Sequence, residues 1–431
     1  MIRWVSFTVV SIMLTSGLAL SAQQLTTAPL TQFVPASQAS PAERRIAAAR
    51  SAIARDAKRA EVWNELALAL SRRARETADP AYYEEAWAAA ERSLQLEPGN
   101  LEGRKLQVWI LLGQHEFARA VEAAEQINRA VPDDVLVYGF LVDGYVELGR
   151  YADAEKAAQW MLDMRPGNVP GLTRAAHLRE LFGDHAGAVE FMDSAYQRTA
   201  PSEVEDRAWI LTQIAHLSLL TCRTDSAERL LNDALTIFPN YHYALAQLAE
   251  LRLQQGRLEE AVTLRQRHYE AAPHPENYYE LGVVLQRAGR HADAQAAWQR
   301  FETEGRREMN GWDNANIELI YYYADHANQP AEALKIAQNE AARRQDVRTL
   351  EALAWALHKN GNAREALVQI EKALAVGIKQ PISSYHAGVI AAEAGEADRA
   401  RLYLENSVGG CRKSSVADAA QQLLRSLAVG R

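Results

Sequence analysis

The segment HLRELFGDH, residues 177–185, comes nearest to a metal-binding pattern in this sequence. A helical zinc site of the HExxH type needs two histidines four residues apart, with a glutamate directly after the first. Here His185 lies eight residues after His177, and Glu180 lies three residues after His177. The spacing does not fit, so we interpret these histidines as surface or groove residues and expect no bound metal.

Nucleophilic and phosphate-binding chemistry also lacks a signature. The sequence contains no GxSxG elbow, no P-loop and no GxGxxG motif. Carboxylate pairs such as Glu84–Glu85 and Glu259–Glu260 are predicted on outer, solvated helix faces. We therefore expect that the protein is not an enzyme and has no catalytic residues and no cofactor.

The two cysteines, Cys222 and Cys411, are 189 residues apart. An exported protein could join them, but a stack of repeats is expected to hold such distant positions apart. Two free thiols are therefore the favoured prediction.

The N-terminus resembles an export signal. Arg3 precedes an apolar stretch from Trp4 to Leu20, and small residues follow before Gln23. We predict a signal peptide at residues 1–22 and a flexible linker at residues 23–39, and hence an exported protein, periplasmic or secreted. The alternative is a retained membrane anchor; otherwise membrane contact is expected only through a partner. The net charge of −8 argues against nucleic-acid binding.

The secondary-structure elements that would position any functional site recur at a regular spacing in the sequence. Pro98, Pro132 and Pro166 are each 34 residues apart, and Gly149 and Gly183 share that spacing. Two longer glycine gaps predict a turn without glycine near Cys222 and another near Asn328. Such a period indicates stacked supersecondary units. Small residues at fixed distances from each turn predict closely packed antiparallel helices.

The pattern resembles the tetratricopeptide repeat family. Two groups of residues match the repeat motif most clearly. The first is Leu141, Tyr145, Gly149, Tyr151, Ala154 and Pro166, and the second is Leu281, Gly282, Gly289 and Ala294. The resemblance implies an all-α, right-handed superhelical solenoid of about ten antiparallel helix pairs over residues 40–413. Residues 414–431 are expected to form a capping helix, since Val416, Ala420 and Leu427 share one face. Repeat boundaries near residues 71–85 and 303–313 stay open.

In this family the first helix of each pair lines the concave surface. Its inward-facing positions lie six, ten and thirteen residues before each turn. In this sequence these positions give a candidate groove of aromatic and histidine residues: His177, Trp209, His216, Tyr243, Tyr279, Tyr322, Trp355 and Tyr385. Aromatic side chains can clamp an extended segment. The alternative is that they pack between repeats.

These observations favour a non-catalytic protein-interaction scaffold of the cell envelope. It would bind a peptide or a partner protein along a hollow side that is open for docking. Two alternatives remain, namely an assembly factor of an outer-membrane, secretion or polysaccharide-export complex, and a glycan-binding protein. The sequence predicts no oligomeric state.

Overall fold

A computed structural model describes residues 39–311, 314–410 and 416–429. The predicted signal peptide and most of the predicted linker lie outside the described residues. The described residues form 22 helices and no strand. In chain order they are α1 Pro41–Arg55, α2 Ala60–Thr77, α3 Ala81–Leu96, α4 Leu101–Gly113, α5 Phe117–Ala130, α6 Val135–Glu147, α7 Tyr151–Met164, α8 Val169–Leu181, α9 His185–Arg198, α10 Val204–Leu220, α11 Thr224–Ile237, α12 His242–Gln254, α13 Leu258–Ala271, α14 Pro275–Arg287, α15 His291–Glu308, α16 Asn316–Asp325, α17 Pro330–Arg343, α18 Val347–Lys359, α19 Ala363–Leu374, α20 Pro381–Glu393, α21 Ala397–Gly410 and α22 Ala417–Val429.

Ten helix hairpins, from α2–α3 to α20–α21, make up most of the described chain. Helix α1 precedes them and α22 packs on α20 and α21 at the other end. The prediction of an all-α repeat solenoid is confirmed. Every described helix is also too short or too polar to cross a bilayer.

Helix α1 begins at Pro41, directly after its N-cap residue Ser40. The Ser40 hydroxyl accepts from the Glu43 backbone N–H, and the Glu43 carboxylate accepts from the Ser40 N–H, so the two residues close a capping box. Pro41 occupies the first turn of α1, where a missing backbone donor costs nothing.

The turns within the hairpins use left-handed backbone. Gly149 and Gly183 have φ of 71° and 75°. The two predicted turns without glycine are confirmed, because Cys222 and Asn328 have φ of 57° and 51°. One difference is the turn after α4: the left-handed residue there is His115, while Gly113 ends the helix.

The first and second helices of the hairpins differ in burial. The first helices contact each other from one hairpin to the next, as in α2–α4, α4–α6 and α16–α18, so they form an inner layer. Helix α6, VLVYGFLVDGYVE, is apolar on nearly every side and ten of its 13 residues are buried. Helix α5 buries a single stripe and forms part of the outer layer.

Successive turns of the spiral contact each other, which the repeat pattern did not predict; an open hollow side stays a prediction. The Gln345 backbone N–H donates to the Glu147 carbonyl at 3.0 Å, and the Lys379 ammonium donates to the Gly183 carbonyl at 3.0 Å. Each pair is separated by nearly 200 residues, just under six repeats. One superhelical turn therefore rests directly on the next.

The free-thiol prediction is wrong, because Cys222 is disulfide-bonded. The sequence offers Cys411 as its one possible partner within the chain; Cys411 itself lies outside the described residues. Sequence distance along a solenoid is not the same as spatial distance. In a closed spiral, turns about six repeats apart become neighbours.

Candidate functional site

The structure places the eight candidate groove residues at two depths. Three of them, His177, Tyr243 and Tyr385, are half-buried. The other five have less than a tenth of their surface exposed: Trp209, His216, Tyr279, Tyr322 and Trp355. A binding role for the set stays a prediction, and the half-buried residues are the ones that a partner reaches without rearrangement.

His177 and His216 lie close together on α8 and α10. His216 Nε2 is 2.9 Å from a carboxylate oxygen of Glu180, and both side chains are buried. Burial lowers the pKa of His177 to about 4, and the nearby charges of His216 and Arg174 add to the effect. His177 is therefore a neutral imidazole near pH 7.

Tyr322 points away from the inner layer. Its hydroxyl donates to Glu302 on the outer helix α15 at 3.0 Å, while the neighbouring Tyr321 faces the His386 ring at 6.0 Å. The link between α16 and α17 has four residues, 326–329, and the corresponding links of the hairpins from α6–α7 onward have three. The extra residue shifts the offset from the turn by one, so counting from the turn missed Tyr321.

Trp355 and Tyr385 belong to an aromatic wall on α18 and α20. The Trp355 indole N–H donates to the Asp325 carboxylate at 3.0 Å, and its ring stacks on His386 at 4.2 Å. Lys359 pairs with the same carboxylate at 2.9 Å. The wall thus combines stacked rings with an ion pair at its exposed edge.

A serine, a glutamate and a histidine meet behind this wall. The Ser383 hydroxyl donates to Glu351 at 2.7 Å, and His386 Nδ1 lies 2.7 Å from the other oxygen of that carboxylate. All three are buried. A nucleophilic triad needs the imidazole beside the hydroxyl, and here the carboxylate stands between them. We interpret the network as structural.

An internal ion pair occupies the inner face of α6 beside Gly139. Arg174 donates to the Gly139 carbonyl at 2.9 Å and pairs with Asp143 at 2.5 Å. A Cβ at residue 139 would lie 2.9 Å from the guanidinium carbon, so glycine leaves the space that Arg174 occupies.

A cavity of about 160 Å³ lies between α2, α10, α12, α13, α14 and α16. His216 and Tyr243, two of the predicted residues, line it. Four residues outside the candidate set line it as well: Gln247, Glu250, Arg265 and His268. The candidate set holds only aromatic and histidine residues of first helices. It therefore omits Glu250, which lies six residues before Gly256, and it omits Arg265 and His268 on the second helix α13. Among the described residues, no group of three His, Cys, Asp or Glu is arranged to hold a metal.

Comparison with known structures finds distant likenesses. A chain of the APC/C hetero-tetramer Cut9-Hcn1 is 12% identical, with 84% of this chain and 55% of that chain covered and a TM-score of 0.43. A tetratricopeptide repeat protein from Parabacteroides merdae is 16% identical, with coverage of 60% and 98% and a TM-score of 0.36. Yeast Tom70 is 13% identical, with coverage of 84% and 96% and a TM-score of 0.35. We draw no functional argument from these likenesses.

A comparison with curated proteins finds no match. Two sequence profiles, both described as tetratricopeptide repeat, match this chain. One matches residues 222–281, and the other matches residues 105–168, 140–203 and 351–415. Together the matches cover slightly more than half of the 431 residues. Since the same segments fold into the stacked hairpins described above, this chain belongs to the tetratricopeptide repeat family.

Proposed function

We propose that the protein is a non-catalytic scaffold of an exported compartment, binding a peptide or protein partner on its inner face. Tetratricopeptide repeats indicate a scaffold for protein–protein interaction, since stacked hairpins create extended concave surfaces. The observation that carries the proposal is the series of ten hairpins among the described residues, because the repeat pattern leaves many inner-face side chains unspecified.

The docking surface that we propose is the wall on α18 and α20. Tyr385 is half-buried there, and Lys359 and Asp325 are exposed at its edge. An aromatic ring beside a charged pair suits an extended peptide, because the ring supplies contact area and the charges orient the backbone.

Two observations support an exported location. The order of charge, apolar residues and small residues at the N-terminus is typical of a signal peptide. The disulfide at Cys222 is typical of oxidising compartments. Mass measurement of the protein recovered from cells is expected to give an N-terminus near Gln23; a full-length chain in the cytosolic fraction would count against export.

The partner is tested by photocrosslinking in living cells. A photoreactive amino acid at Tyr385 is expected to give a discrete, protease-sensitive adduct, and Lys359→Glu is expected to weaken it. The same amino acid at Val368, an exposed residue of the outer helix α19, is the matched control. Adducts that are absent at Tyr385, or equally strong at both sites, would contradict the proposal.

A further inference from the structure

The 160 Å³ cavity described above contains buried polar groups that have no hydrogen-bond partner in the protein. Glu250 on α12 is 3% exposed, and neither of its carboxylate oxygens has a hydrogen-bond partner. Gln247, one helical turn earlier, also has an unpaired side-chain oxygen. All these oxygens are acceptors on one face of α12.

Helix α13 contributes hydrogen-bond donors that have no partner. Arg265 is 2% exposed, and its Nε and Nη1 atoms have no hydrogen-bond partner. Its Nη2 atom alone pairs, with Glu280 at 3.3 Å. The cavity therefore presents unused acceptors from one helix and unused donors from the next helix of the same hairpin.

Buried polar groups in folded proteins are nearly always paired, because a desolvated charge without a partner is costly. A ligand that satisfies this cavity must offer donors to Glu250 and an acceptor to Arg265. An anion alone would be repelled by Glu250, and a cation alone would be repelled by Arg265. A molecule that carries both a positive and a negative charge can pair with Glu250 on α12 and with Arg265 on α13.

We infer that this cavity binds a small zwitterion, a compound of the free amino acid class, with its ammonium group at Glu250 and its carboxylate at Arg265. The size agrees, since an apolar cavity of about 150 Å³ holds one benzene ring, and this one has about 160 Å³. Arg348 of α18 lines the cavity, but the wall residues Trp355, Lys359 and Tyr385 do not. The two proposed sites can therefore be tested independently.

The test uses the full chain, with thermal denaturation and calorimetric titration. The probes are glycine, β-alanine and γ-aminobutyrate, which separate the two charges by increasing distances. At least one is expected to bind and, at about a hundred times its Kd, to raise Tm by ~2 °C or more. Acetate and methylammonium chloride, which each carry one of the charges, are expected to give no shift. Failure of all three zwitterions, or equal shifts with either single-charge probe, overturns the inference.

Variants locate the site. Glu250→Gln removes the buried charge and is expected to weaken binding at least tenfold without lowering Tm of the ligand-free protein. Arg265→Lys keeps a charge for Glu280 but loses the planar fork, and is also expected to weaken binding. Glu270→Gln, at an exposed position of α13, is the matched control. Unchanged affinity in both cavity variants would overturn the assignment.

Discussion

At the scale of single residues, the smallest side chains decide how closely the two helices of a hairpin approach. The Trp298 ring lies against Gly282, where an added Cβ would be 2.2 Å from the indole nitrogen. The sequence pattern predicted small residues at this level. It did not predict which bulky side chain would cover each one, since that depends on rotamers chosen in three dimensions.

Gly282→Ala is expected to destabilise the protein by about 1–3 kcal/mol, because Trp298 is buried and has little room to shift. Urea denaturation measures the change. Gly305→Ala is the matched control, since its Cβ would lie 3.4 Å from Leu319, an ordinary contact, and alanine favours helix. Equal effects of the two substitutions would contradict this packing argument.

His177 makes stability depend on pH. Its pKa is about 4 in the folded protein and near 6.5 when exposed, so the unfolded chain binds more protons between these values. Stability contributed by neutral His177 is therefore full above about pH 6.5 and is lost as pH falls toward 4.

Wild-type protein is expected to lose about 2 kcal/mol more than His177→Gln between pH 7.5 and pH 5. Urea denaturation at both pH values checks this difference. His291→Gln, at an exposed position, should follow wild type. Parallel losses in all three proteins would show that His177 is not held neutral by burial.

At the scale of elements, the sequence anticipated hairpin positions better than side-chain directions. Turn glycines and periodic prolines located the hairpins because left-handed backbone and helix termination are local properties. Helix α16 shows the limit: one extra link residue turned Tyr321, and not Tyr322, toward the inner layer. An error of one residue corresponds to about 100° around a helix.

The contact between superhelical turns depends on Arg344. This buried guanidinium pairs with Glu147 at 2.7 Å on one turn and with Asp346 at 2.7 Å on the next. Arg344→Met is expected to cost about 3–5 kcal/mol, because two buried carboxylates lose their counter-charge. Arg343→Met, at a more exposed neighbour, should change stability by less than about 1 kcal/mol. Equal free energies of unfolding for the two variants would argue against a stabilising role of the buried Arg344 ion pairs.

At the scale of the whole molecule, the number of hairpins was predictable but the closure of the spiral was not. Curvature accumulates from small rotations between repeats, and no single repeat encodes the sum. The expectation of free thiols failed for this reason.

The closure is tested most directly by an engineered disulfide between turns, in the pair Gly149→Cys and Gln345→Cys. A Cβ at residue 149 would lie 3.1 Å from that of Gln345 and 2.8 Å from the Gln345 carbonyl oxygen. If the two backbones separate by a few tenths of an ångström, the clash is relieved and the Cβ atoms reach disulfide distance. Cys222 already occupies an equivalent left-handed turn. The control pair is Gly289→Cys with Gln345→Cys, because a Cβ at residue 289 would have no atom within 4 Å apart from its own chain neighbours. Peptide mass mapping after mild oxidation of the folded protein is expected to show a nearly complete 149–345 bond and none in the control; thiols at 149 and 345 that stay reduced and alkylate freely would contradict a closed spiral.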